Sequence, residues 1–211
     1  MEITATSKEW SMITLTKQKL TFEQFLEQCP DDGRYELIDG EIVEISSTRK
    51  HKDVSELVMD LFKDEVKRLK LQYKVTNQAV IKTNAKNGTE HGRIPDVNVI
   101  DLDTWRSNRS DYAALQEPIQ LAVEVTSTNW DNDYIDKLYE YEAIGIKEYW
   151  IVDYLAIASR DFLGNPKLPT ISIYSLNERG KYTLQQFRGS QAIVSKTFPE
   201  LIVTAEEIFQ A

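Results

Sequence analysis

Cysteine is nearly absent. Cys29 is the single one in 211 residues, so no intramolecular disulfide and no multi-cysteine metal site can form. Nothing basic adjoins it in sequence to activate its thiol, so it reads as inert. Histidine is scarce too, with only His51 and His91, which argues against a histidine-rich zinc centre. No apolar run approaches the roughly 20 residues of a membrane span; one of the longest lies around Ile119–Val125. The N-terminal residues lack the basic-then-apolar pattern of a signal peptide. A cytoplasmic protein without a membrane segment is the expectation. Repeats and low-complexity segments are missing as well. Hydrophobic residues make up 41% of the chain and aromatics 10%, enough for a packed core rather than a disordered chain.

Positive charge is also in short supply, with 25 Lys plus Arg against 34 Asp plus Glu and a net charge of −9. That balance disfavours a general nucleic-acid coat, because polyanion binders are usually basic. The sum hides a pattern, however. Residues 49–93 carry +5 and residues 94–153 carry −9. A basic block precedes an acidic one, and the two could meet at one cleft.

The length fits one domain, expected over residues 19–211 behind a loose arm at 1–18. Thr21 has the N-cap look of a short helix with Phe22, Phe25 and Leu26 on one face, stopped by Pro30-Asp31-Asp32-Gly33. Tyr35 to Ile45 is two apolar runs around Asp39-Gly40, the signal of a tight hairpin. His51 to Leu71 has the 3–4 spacing of the longest helix. Strands are expected at Tyr73–Thr83, Ile94–Asp101, Ile119–Thr126 and Glu148–Asp153, with a turn-rich loop over 84–92 and weak order over 104–116. Asn132–Ile144 reads as a helix ended by Gly145. Thr170–Ser175 and Tyr182–Phe187 form a second hairpin, and Thr204 starts a last helical turn. The order implies an α/β (α+β) fold: a mixed central β-sheet flanked by helices, with an N-terminal and a C-terminal hairpin.

Two carboxylates stand out. Asp96 follows Ile94-Pro95 near a strand start, and Glu124 lies inside an apolar strand. An ionised carboxylate in such a run is costly unless it is paired or metal-bound. Two strand-borne carboxylates with a further oxygen donor suit a hard cation such as Mg2+ or Mn2+. Asp133, Lys137 and Tyr141 are spaced i, i+4, i+8, so they line one helical face that can lean over the carboxylates.

The ordered set Pro95-Asp96-Val97, Glu124-Val125-Thr126-Ser127, Asp133-x-x-x-Lys137-x-x-x-Tyr141 and the run from Gly145 to Asp153 resembles the Uma-type family of restriction endonucleases, within the PD-(D/E)XK nuclease superfamily. The hairpin Arg34 to Ile45 and His51 fit the family's opening. The likeness covers about residues 20–210. It implies a restriction endonuclease-like fold and a metal-dependent endonuclease acting on DNA. It further implies that Asp96 and Glu124 bind Mg2+ or Mn2+, with Glu36 as third ligand or outer-sphere acid and Lys137 as the catalytic lysine. In the superfamily's simplest pattern the lysine stands two residues after the glutamate, where this chain has Thr126; the family pattern moves it to the helix, at Lys137. His51, Asp133 and Tyr141 are candidate substrate contacts. A homodimer is expected, since cutting both strands of a duplex is easiest with two sites related by a twofold axis.

Plainer readings stand beside these. Asp96 can cap a turn, and Glu124 with Lys137 can be a structural ion pair. Glu36 can be an exposed hairpin acid, with Glu41 as an alternative ligand. Tyr141 reads first as a packing residue, and Tyr149 and Trp150 as core or dimer contacts. A nuclease-fold protein that binds nucleic acid or a protein partner without cutting is the alternative function. A two-carboxylate sugar hydrolase is a remote third, which leaves Lys137 and the basic block unexplained.

Overall fold

The computed structural model describes residues 19–30, 32–107 and 112–211; the arm expected over 1–18 lies outside them. Helix α1 (Phe22–Gln28) opens on a reciprocal cap. The Thr21 hydroxyl accepts from the Gln24 amide, and the Gln24 side chain accepts from the Thr21 amide, satisfying donors that a helix start leaves open. Strands β1 (Tyr35–Ile38) and β2 (Glu41–Glu44) pair as the expected hairpin. Asp39 and Gly40 both have positive φ, 51° and 81°, as the favoured two-residue turn requires. Gly40 is fixed for a second reason, since a Cβ there would lie 2.4 Å from the Lys19 Cβ.

Helix α2 (Arg49–Leu69) starts two residues earlier than its apolar stripe suggested, because Thr48 caps it by accepting from the His51 amide. Its stripe of Val54, Val58 and Phe62 is fully buried. Phe62 stacks on Phe198 at 4.7 Å and meets Trp150 edge-on at 5.2 Å. The segment expected as one strand over 73–83 is two, β3 (Tyr73–Thr76) and β4 (Val80–Asn84), in different sheets. The Thr76 hydroxyl accepts from the Gln78 amide at the break between them. Strand β5 (Glu90–Arg93) occupies the end of the expected loop. The connecting turn is only Ala85–Thr89, closed by the Ala85 amide donating to the Thr89 carbonyl. Then come β6 (Val97–Asp101), α3 (Leu102–Ser107), β7 (Ala114–Leu115) and β8 (Leu121–Val125). Of the weakly ordered stretch over 104–116, residues 108–111 lie outside the described residues.

Asn132–Ile144 is helical throughout but not uniform. Asn132–Lys137 is a π-helical turn that runs into α4 (Leu138–Ile144), ended by Gly145 at φ 89°. Strand β9 (Glu148–Asp153) follows, then the short α5 (Arg160–Leu163), which the sequence pattern did not reveal. The second hairpin is β10 (Thr170–Leu176) with β11 (Tyr182–Phe187), and α6 (Ala205–Phe209) closes the fold behind a Thr204 cap.

The fold is the expected mixed α/β, with the strands divided between two mixed sheets rather than joined in one. One has the order β2-β1-β5-β4-β7, the other β11-β10-β9-β8-β6-β3. Each contains one parallel pair, β4 with β7 and β8 with β9. Strand alternation assigns the faces. Leu121, Val123 and Val125 of β8 pack with α2 and α6 in one core, while Ala122 packs with Tyr134, Tyr141 and Tyr149 in another. Leu37 and Gly92 face α1, where a Cβ on Gly92 would come within 3.1 Å of Phe22. Their neighbours Glu36, His91 and Arg93 therefore point to the opposite face, and Arg93 and His91 meet Glu140 of α4. The π-turn and α4 thus pack against charged side chains of one sheet and against the Glu124 face of the other. No helix among the described residues is long and apolar enough to cross a membrane.

Candidate active site

Strand pairing brings the first two acids together. Val97 is opposite Val123 and Asn98 opposite Ala122 in the β6–β8 ladder. Continuing that register by one residue sets Asp96 opposite Glu124. The Val125 amide donates to Asp96 Oδ2 at 2.9 Å, and His51 Nε2 lies 2.8 Å from the same oxygen. The other oxygen, Oδ1, faces Arg34 Nη1 at 3.6 Å. Burial pushes the Asp96 carboxyl up, but His51, the Val125 amide and Lys137 outweigh it and hold it below its usual range.

Glu124 is buried and has two close partners. Tyr141 donates its hydroxyl to Oε1 at 2.7 Å, and Lys137 Nζ is 2.9 Å from Oε2. The same ammonium lies 3.3 Å from Asp133 Oδ1 and 3.9 Å from Glu36 Oε1. One lysine is therefore shared by three carboxylates. Burial is the main force raising the Glu124 carboxyl; Lys137 opposes it, and Asp96, Asp133 and Glu36 add to the rise. Asp133 is pushed up to about 6, first by burial, with Lys137 opposing. Burial works against the Lys137 ammonium, but Glu124, Glu36 and Asp133 hold it protonated above its ordinary value. The π-turn puts Asp133 and Lys137 at this position; π-turns of this kind are frequent at functional sites.

Glu36 points the same way but is already occupied. Oε1 accepts from the Ile94 amide at 3.0 Å, and Oε2 accepts from Arg93 at 3.2 Å. It is not the exposed hairpin acid of the plainer reading, being 1% exposed. Glu41, the alternative, is exposed and does not line the cleft. His51 is buried against Asp96 rather than free at the helix start. Tyr149 and Trp150 are fully buried core residues. Thr126, at the place of the superfamily's simplest lysine, is buried and does not line the cleft; its hydroxyl has no hydrogen-bond partner among the described residues.

These groups share a cleft of about 250 Å³ lined by Glu36, His51, Asp96, Glu124, Asp133 and Lys137, with Ser46, Ser47 and Ser127 among its other walls. The basic block of 49–93 contributes only His51 of its own ionisable groups to these walls. Arg93 is instead locked against Glu140, and Lys82 pairs with Glu23 and Glu90.

Among the described residues no group of three or more His, Cys, Asp or Glu side chains is arranged to hold a metal ion. Two carboxylates of the cleft still have the chemistry for one. Asp96 and Glu124 are hard oxygen donors, and the cleft buries more carboxylate than one lysine neutralises. Mg2+ commonly takes one or two carboxylates and keeps several waters, so this pair fits it. Glu36 fits as an outer acid, because its oxygens are committed to Arg93 and the Ile94 amide.

Comparison with known proteins agrees with this fold. Residues 22–206 match the model of the Uma2 family, described as "Putative restriction endonuclease". The chain belongs to the Uma2 family. It shares its fold with the crystal structure of "a putative nuclease belonging to DUF820" from Anabaena variabilis, with a TM-score of 0.66 and 15% identity over 90% of this chain and 98% of that one. No curated protein matches it.

In this Uma2 chain the sequence pattern missed three residues around the site: Arg34 beside Asp96, and the pair His91 and Arg93 behind Glu36. Glu140, which binds that pair, was missed too. A signal existed: His91 and Arg93 alternate around Gly92 in strand fashion, and Glu140 is three residues after Lys137, on nearly the same side of the helix.

Proposed function

We propose that this chain is an endonuclease that hydrolyses phosphodiester bonds of DNA with Mg2+ or Mn2+. The observation that carries the reading is one lysine shared by the buried acids Glu124, Asp133 and Glu36, beside Asp96, in one cleft. Membership of a family described as restriction endonucleases supports it. Asp96 and Glu124 are the metal-holding residues. When bound, the metal supplies Lewis acidity toward the phosphate and makes its water a better nucleophile.

The chain's own groups do the rest. Lys137, kept protonated by its acids, orients water and offsets negative charge that grows on the phosphoryl oxygens. His51 and the Val125 amide fix the Asp96 carboxylate through Oδ2, leaving Oδ1 facing Arg34. Tyr141 holds Glu124 Oε1 and so sets the direction of Oε2. Asp133 and Glu36 hold Lys137 in place, and Arg93 anchors Glu36. Duplex DNA is the proposed substrate and a homodimer the proposed assembly; sedimentation that finds only monomers on duplex DNA would overturn the assembly.

One observation favours a second reading. Lys137 already pairs with Glu124 at 2.9 Å, and a closed ion pair suits a protein that binds nucleic acid without cutting it. Plasmid nicking in Mn2+ or Mg2+ decides between them. The nuclease reading expects wild-type nicking, and a drop of about 10³-fold or more (about 4 kcal/mol) in Glu124→Gln and in Lys137→Ala. Equal activity in all three proteins would sink it.

A further inference from the structure

Beside the catalytic cleft is a second cavity of about 280 Å³, which shares Ile38 and Asn132 with it. Its floor is His91. That side chain is 4% exposed, and its Nε2 has no hydrogen-bond partner among the described residues. Nδ1 sits 2.8 Å from Glu140 Oε1. Arg93 Nη2 lies 3.2 Å from the same Nδ1, so Nδ1 is engaged and Nε2 is the ring nitrogen left for a group in the cavity. Asp39 and Asp136 add acceptors to the walls, with Asp39 Oδ1 3.5 Å from Nε2. On the far side Tyr139 is 40% exposed, and the Lys86 ammonium lies 5.3 Å from its ring centre.

This lining does not suit a phosphate, because Asp39 and Asp136 are acids and the Arg93 of its wall is already paired with Glu140 and Glu36. It suits a flat group with N–H donors on its edge and a face to stack. We propose that the cavity is a subsite for one unstacked nucleobase of the substrate, stacked on Tyr139, with its amino edge toward His91, Asp39 and Asp136. A purine with a 2-amino group, such as guanine, has the edge richest in donors for that wall. The Lys86 ammonium lies over one face of the Tyr139 ring, so the base stacks on the other. The substrate class rests on the nuclease reading above. The inference adds that cutting requires one base near the scissile bond to leave its stack, as enzymes that read single bases do.

The test uses full-length protein in Ca2+, with a single-stranded oligothymidylate carrying one 2-aminopurine as a fluorescent probe. Wild type is expected to quench the probe on binding. Tyr139→Phe keeps the quench, because the ring remains. Tyr139→Ala, a change at an exposed position, loses it and binds about tenfold more weakly. Guanosine monophosphate is expected to displace the probe at lower concentration than thymidine monophosphate. Equal quenching by wild type and Tyr139→Ala overturns the subsite, as does equal displacement by the two nucleotides. Plasmid nicking separates the two proposals. Quenching without nicking leaves the subsite standing and removes the nuclease reading. Nicking without quenching does the reverse.

Discussion

One helical segment supplies two buried charge clusters that are built on opposite terms. Glu140 receives hydrogen bonds from Thr83, His91 and two nitrogens of Arg93, all between 2.7 and 2.8 Å. Glu124, one strand layer away, has a tyrosine hydroxyl and a share of one lysine. Burial raises both carboxyls. At Glu140 the bonds from Arg93, His91 and Thr83 overcome it and bring the group down to about 2. At Glu124 the neighbouring acids add to the effect of burial, and the group stays high. A satisfied cluster ties α4 to the sheet that carries β4 and β5. An unsatisfied one is short of positive charge, and such a shortage is common where a protein receives a cation or substrate.

The same substitution in each cluster breaks the comparison most directly. Glu140→Gln removes the closer of Arg93's two carboxylate partners and leaves it Glu36, and about 3 kcal/mol of stability should be lost, seen as a lower urea midpoint with unchanged slope. The pH dependence comes next in size. A carboxyl lowered from 4.5 to about 2 contributes stability that is present above 4.5 and lost as pH falls through about 2. Wild type should therefore lose about 3 kcal/mol over that window relative to Glu140→Gln, read from urea titrations at several pH values. A parallel pH course in the two proteins would show that Glu140 is not held low.

Glu124→Gln should act with the opposite sign. Its carboxyl is raised in the folded state, so the stability it contributes fades as pH climbs above its unfolded value. Metal-free Glu124→Gln should be more stable than wild type by about 1 kcal/mol at pH 8 and less distinct at pH 5, while losing cleavage. Added Mn2+ should narrow the gap by stabilising wild type alone. The smallest effect is expected from Tyr141→Phe. Losing one hydrogen bond to Glu124 Oε1 should lower cleavage about fivefold, near 1 kcal/mol, with little change in melting temperature. A loss as large as that of Glu124→Gln would mean that Tyr141 does more than orient its partner.

The acidic total reads differently once the packing is known. Residues 94–153 carry −9, and within them Asp96, Glu124, Asp133 and Glu140 are buried near one another's partners. Lys137 and Arg93 neutralise part of that charge. The basic block does not form the facing wall the charge order suggested. Its most buried member, Arg93, serves the Glu140 cluster, and the exposed lysines of α2 do not line the cleft.

Periodicity determined much by itself. The Asp39-Gly40 turn, the apolar β8 and β9, the Gly145 stop and the Thr21 and Thr204 caps depend on neighbours within a few residues, so local chemistry is enough to show them. The helical face of Asp133, Lys137 and Tyr141 was legible for the same reason, even though the first turn proved π-helical. What the sequence could not show depends on pairing between distant segments. The split of Tyr73–Thr83 follows from β3 pairing with β6 while β4 pairs with β5 and β7, and the clamp of Thr83, His91 and Arg93 on Glu140 joins residues 47 to 57 apart. Only the packed structure decides which buried acid meets a guanidinium and which shares a lysine. That choice holds the Glu140 carboxyl low and leaves the Glu124 carboxyl raised, because a buried charge takes its character from the groups that replace its water.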